Sequence, residues 1–126
     1  MATTLKKQVL INARALIANP AHWTMWVLAA SEHGRPVSWH DRAARRWCAV
    51  GAIHRAAFDL LGDKERAIAL ANEVIARIYP HTPPRRNLPA LNDTQGHAAV
   101  IGLFDRALRD ESADSMAAKA LPLPVV

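Results

Sequence analysis

The chain has 126 residues, 51% hydrophobic and 21% charged, an ordinary globular balance that excludes a wholly disordered protein. No apolar run approaches the roughly 18 residues of a membrane helix, and the first twenty residues show no signal-peptide pattern. One cysteine excludes an internal disulfide and every Cys-rich zinc framework, and sixteen Lys and Arg against eleven Asp and Glu give a net charge of +5.

Abundant Ala and only five Gly favour helix. The expected fold is mainly α: a single domain over residues 1–111 with about four helices, then a flexible tail over 112–126. Thr3 or Thr4 caps a first helix that Asn19-Pro20 stops, with Leu5, Val9, Ala13, Leu16 and Ile17 on its inner side. In the segment 22–40, residues 23–30 could be a short helix, but Thr, Trp and Val favour a strand; Ser31 to Gly34 reads as a turn, and Pro36 keeps its surroundings extended. A short β-hairpin between helices one and two is therefore expected there.

Ser38 followed by Asp41 resembles a capping arrangement, so a second helix is expected over 39–61, ending at Gly62. Its apolar arc would hold Ala43, Trp47, Val50, Ala57, Phe58 and Leu61. Asp63 caps a third helix with Ala67, Leu70, Ala71, Val74, Ile75 and Ile78 inward, the clearest amphipathic pattern in the chain. Pro80, Pro83, Pro84 and Pro89 forbid regular structure in the loop that follows. A last helix starts at Asp93 or Thr94 and reaches Asp110, with Val100, Ile101, Phe104, Ala107 and Leu108 inward.

Charge is uneven along the chain. Residues 1–62 hold eight basic and three acidic residues, whereas 63–126 hold eight of each. Arg35, Arg42, Arg45, Arg46 and Arg55 fall within one stretch whose only acid is Asp41, and Trp39 and Trp47 interleave them. Such a patch suits a nucleic acid or an acidic protein; the competing reading is a solvated helix face. Trp23, Trp26, Trp39 and Trp47 all lie within residues 23–47. Trp47 and one of Trp23 or Trp26 are expected in the core, with Trp39 open.

Gly34 to Val37, Trp47-Cys48 followed by Gly51-Ala52, and Asn92-Asp93 followed by His97 resemble the motifs of a family of small, uncharacterised bacterial and phage proteins. The resemblance spans most of residues 5–110, implies no activity, and draws attention to Cys48, Asn92, Asp93 and His97. On a continuous second helix, Cys48 would lie near Arg45 and Arg55, whose charge favours a thiolate; alternatively it is a compact buried hydrophobe beside small residues. His97 falls on an apolar arc, where Asn92 or Asp93 would supply its partner, as base or as a satisfied core histidine. Cys48, His97 and Asn92 or Asp93 are the residue types of a thiol hydrolase or transferase: nucleophile, base and orienter.

His54 reads as packing. The other histidines lack metal-ligand spacing, and there is neither a phosphate-binding Gly-rich loop nor a Gly-x-Ser-x-Gly elbow. No metal, no cofactor and no membrane partner are expected, and the setting is expected to be reducing and cytoplasmic. The leading expectation is a binding or regulatory domain using Arg35, Trp39, Arg42, Arg45, Arg46 and Arg55 toward an anionic partner. A thiol enzyme is the alternative, and a homodimer through an apolar helix face fits either.

Overall fold

The computed structural model describes residues 3–82 and 87–120, the segment 112–120 as helical backbone alone. Among the described residues five α-helices, α1 (Leu5–Ile17), α2 (Ala49–Leu61), α3 (Lys64–Ile78), α4 (Leu88–Gln95) and α5 (His97–Ala120), accompany one short hairpin. The hairpin strands are β1 (Ala29–Ser31) and β2 (Ala44–Trp47), paired antiparallel. No described helix is long and apolar enough to cross a membrane.

Two helices follow their sequence pattern closely. The Thr4 side chain caps α1 by accepting from the Lys7 N–H at 3.1 Å, and the Asp63 carboxylate caps α3 by accepting from the Arg66 N–H at 2.9 Å. The buried face of α3 is Ala67, Leu70, Ala71, Val74 and Ile78, with Ile75 at its edge. In α1 the inner face is Val9, Leu10, Ala13 and Ile17; Leu5, expected inward, lies in the first turn and is exposed.

The second expected helix begins as turns and a strand. Residues 44–47 pair with β1, and α2 begins only at Ala49. The capping pattern at Ser38 and Asp41 forms turns instead: the Asp41 carboxylate accepts from the Ala43 N–H at 2.8 Å, and the Ala44 N–H donates to the Asp41 carbonyl at 3.1 Å. Pairing with a distant strand thereby overrides local helix preference. The hairpin is consequently wider than expected, its strands separated by residues 32–43. Its register shifts between Ala30 and Ser31, which leaves Arg45 as the extra residue of a bulge. The inward face of α2 is its small side, Gly51, Ala52, Ile53, Ala56 and Ala57, rather than the arc through Trp47, Phe58 and Leu61.

The Pro-rich connection also hides a helix. Asn87 caps α4 through its side chain, which accepts from the Ala90 N–H at 2.9 Å, and Pro89 sits in the first turn, where its missing N–H costs nothing. Gly96, at φ 89°, then separates α4 from α5. Asn92 and Asp93 are thus inside a helix, not ahead of one. The last helix runs ten residues past its expected end at Asp110, to Ala120; residues 83–86 of the expected Pro-rich loop and 121–126 of the tail expected over 112–126 lie outside the described residues.

One core cluster gathers Leu10, Ile17, Ile53, Val74, Ile78, Leu88, Val100, Leu103 and Phe104, with Trp39 and Trp47 at its hairpin side. α2 lies centrally against α1 and α3. Its close approach to the hairpin needs a glycine: a Cβ on Gly51 would stand 1.9 Å from the Leu28 carbonyl oxygen. Gly51→Ala should therefore destabilise the protein by about 1–3 kcal/mol, the clash outweighing the better helix propensity of Ala. Phe104→Ala should cost about 3–5 kcal/mol in denaturant unfolding; an unchanged midpoint for either variant would contradict this packing.

Candidate functional site

Asn92 is fully buried and spends its whole carboxamide. Its Oδ1 accepts from Trp23 Nε1 at 2.7 Å and from the Ala49 N–H at 2.9 Å. Its Nδ2 donates to the Thr24 carbonyl at 3.1 Å and to Asp93 Oδ1 at 3.0 Å. Ala49 opens α2, so its N–H is one of the donors a helix start leaves without an internal partner. α4, the start of α2 and the segment 23–24 meet at this one side chain.

Cys48 is the buried residue between β2 and α2. Its Sγ accepts from the Gly51 N–H at 3.3 Å, acting as the N-cap. Burial pushes the thiol above its ordinary value and the Asp93 carboxylate adds to this, while the N–H groups of the helix start oppose it less strongly. Because residues 44–47 are strand, the expected approach of Arg45 and Arg55 to the sulfur is not made; the charged neighbour is Asp93.

His97 opens α5, and its Nε2 lies 2.6 Å from the carbonyl oxygen of Ile17, the last residue of α1. That nitrogen therefore carries the proton and donates, satisfying a carbonyl at a helix end. The ring also stands edge-on to Trp23, centroids 5.6 Å apart. Cys48, Asn92 and Asp93 gather at the start of α2, but the His97 hydrogen bond goes to α1. A protonated, buried sulfur stands where a thiol nucleophile would need an accessible thiolate.

Trp26 is the residue sequence reasoning missed. It is 74% exposed and holds φ 73°, the left-handed region that L residues seldom adopt. Asp93 Oδ1 accepts from its N–H at 2.9 Å. With Val27, Leu28, Cys48, Pro89 and Asp93, Trp26 lines a pocket of ≈ 120 Å³. Nothing within residues 20–30 announces this, because the carboxylate that holds it is 67 positions away.

The basic residues divide into two groups. Arg55 is part of the scaffold: it pairs with Asp59 at 3.1 Å, donates to the Trp39 and Asp41 carbonyls, and lies 5.5 Å from the Trp47 ring centre. Trp39 is buried against His40, His54 and Phe58, and the Trp47 indole donates to the Trp39 carbonyl. Arg35, Arg42, Arg45 and Arg46 lie on the hairpin and its turns. Arg45 donates to the carbonyls of Arg42 and Ala44, and Arg46 to that of Glu32. Ala21, His22, Glu32, Arg45 and Arg46 line an open groove of ≈ 310 Å³. Among the described residues no three His, Cys, Asp or Glu side chains converge as a metal site would require.

Fold and site together define a small, mainly helical protein in which a buried asparagine joins the start of α2 and the segment 23–24 to α4. The chain belongs to the family of unknown function DUF6197, whose model matches residues 1–110. No curated protein and no solved structure matches it.

Asn92→Ala would strand the Trp23 and Ala49 N–H groups and the Thr24 carbonyl. At about 1–3 kcal/mol for each buried group left unpaired, unfolding should become easier by several kcal/mol. The raised Cys48 thiol makes a pH-dependent prediction. Above the ordinary thiol value of 9.0 the unfolded chain has lost the thiol proton and the native chain has kept it. Stability should therefore fall as pH rises through this window, and fall less in Cys48→Ala. Native Cys48 should also resist alkylation at pH 8 until denaturant is added; rapid native labelling would contradict its burial.

Proposed function

We propose that this protein is a non-enzymatic binding or regulatory domain that takes an anionic partner on the arginine face of its hairpin, working in the cytoplasm of a bacterial or phage-infected cell. The observation that carries the proposal is the cationic excess of Arg35, Arg42, Arg45 and Arg46 over Glu32, the one carboxylate lining the groove. Among the described residues none of the four is ion-paired, whereas Arg14, Arg55 and Arg77 each face a carboxylate. The guanidiniums of Arg45 and Arg46 are held by backbone carbonyls, which fix their position and leave their charge intact. Preorganised cations beside a groove suit phosphate or carboxylate groups.

Trp39, Trp47 and Arg55 contribute as support for this face rather than as contacts, since they are buried or already engaged. Recognition then rests on charge, without base stacking on the two indoles. A free buried cysteine suits a reducing compartment.

Binding of a labelled DNA duplex and of an acidic polyglutamate peptide should be measured at low and moderate salt. At least one should bind, weaken steeply as salt rises, and lose on the order of tenfold or more in affinity in Arg45→Ala/Arg46→Ala. Binding of neither polyanion, or binding indifferent to salt and to the double substitution, would refute the proposal.

A further inference from the structure

The hydrogen bonds of Asp93 leave one carboxylate oxygen unspent. Oδ1 accepts from the Trp26 N–H and from Asn92 Nδ2, while no hydrogen bond or ion pair among the described residues engages Oδ2. This carboxylate borders the ≈ 120 Å³ pocket whose other walls are Trp26, Val27, Leu28, Cys48 and Pro89. With Cys48 held as a neutral thiol, Asp93 is the one charged group of the lining.

The indole of Trp26 stands at the rim in a backbone conformation that an L residue holds only when its surroundings impose it. Here Asp93 imposes it, through the bond to the Trp26 N–H. One carboxylate thus supplies the charge of the pocket and holds the backbone of the residue whose indole lines it. Leu28, also in the lining, is exposed as well, so the open side of the pocket carries apolar surface.

We infer that the Trp26–Asp93 pocket binds an alkylammonium group, the head of a free amine or of a lysine side chain. Each part of such a group finds its complement: the charge faces the carboxylate, the methyl or methylene groups face Val27, Leu28 and Pro89, and the cation is attracted by the indole face. Anions are repelled by Asp93, and a neutral apolar group leaves the carboxylate without a partner. The volume is well below the roughly 300–1,000 Å³ of drug-sized sites and admits a single head group. A metal ion would meet one carboxylate and no converging set of ligands among the described residues. The inference is independent of the anionic partner, since it concerns a different site of opposite charge.

The test is a titration of the full ¹⁵N-labelled chain, read at the Trp26 indole N–H resonance, which is assigned by its loss in Trp26→Phe. The probes are choline, its neutral isostere 3,3-dimethylbutan-1-ol, and Nα-acetyl-lysine methylamide. At least one cation should shift the resonance saturably in the millimolar range and bind on the order of tenfold more tightly than the alcohol. Asp93→Asn keeps an oxygen for both the Trp26 and Asn92 bonds and should reduce the cation to the affinity of the alcohol. Preference for choline points to a free methylated amine and preference for the lysine amide to a side chain, and either upholds the site. Cations that bind no better than the alcohol would overturn it, as would a cation affinity unchanged in Asp93→Asn. The comparison of probes on the unsubstituted chain decides the matter even if that variant fails to fold.

Discussion

The Asn92 carboxamide sits where α4, the first N–H of α2 and the segment 23–24 converge, with no water-accessible surface of its own. A primary amide offers two acceptor positions and two donor hydrogens, and all four are taken here. A buried amide with any one of these unmade would cost free energy, so the geometry of the three segments is mutually fixed. An aliphatic side chain of similar size would pack but could not specify this arrangement. It ties the start of α2 and the segment 23–24 to α4, and through Asp93 Oδ1 it adjoins the bond that holds the Trp26 N–H.

The motif residues that look like a thiol-enzyme constellation have structural tasks in the same knot. Trp47 closes β2 and anchors its indole on the Trp39 carbonyl. Cys48 turns the chain from strand to helix, donating its N–H to the Leu28 carbonyl while its sulfur caps α2. Gly51 lets that helix approach the same carbonyl. His97 closes the end of α1, and Asp93 holds Trp26. A nucleophile needs a thiolate, and burial works against one at Cys48.

Much of the helical frame was legible in the sequence because its causes are local. α3 declares itself through a cap at Asp63 and a regular apolar spacing, and the C-terminus of α2 through Gly62, which adopts φ 69°. β2 was not legible, since its sequence Ala-Arg-Arg-Trp suits a helix and becomes strand only by pairing with residues 29–31. α4 was obscured by prolines, one of which, Pro89, sits in the helix's first turn and helps to start it. The residue types of the site were visible at Cys48, Asn92 and Asp93. The exposure of Trp26 was not, because a left-handed backbone imposed by a carboxylate 67 residues later leaves no local trace.

The charged side chains of Arg45, Arg46 and Asp93 are held in a common way. Arg45 and Arg46 give their hydrogen bonds to backbone carbonyls, and Asp93 takes its own from a backbone N–H and an amide. Each charge is thereby positioned without being neutralised. The loss of stability from leaving such groups unpaired is small, because an exposed ion pair contributes only about 0–1 kcal/mol against the water that solvates its members apart. Positioning by neutral groups therefore gives up little in folding free energy and leaves the charge intact. The deep interior follows the opposite rule: there Asn92, a neutral residue, makes the polar connections, since an unpaired charge in that place would be costly. The one charged residue among the buried polar side chains of the described residues, Glu111, is by contrast paired with Arg77.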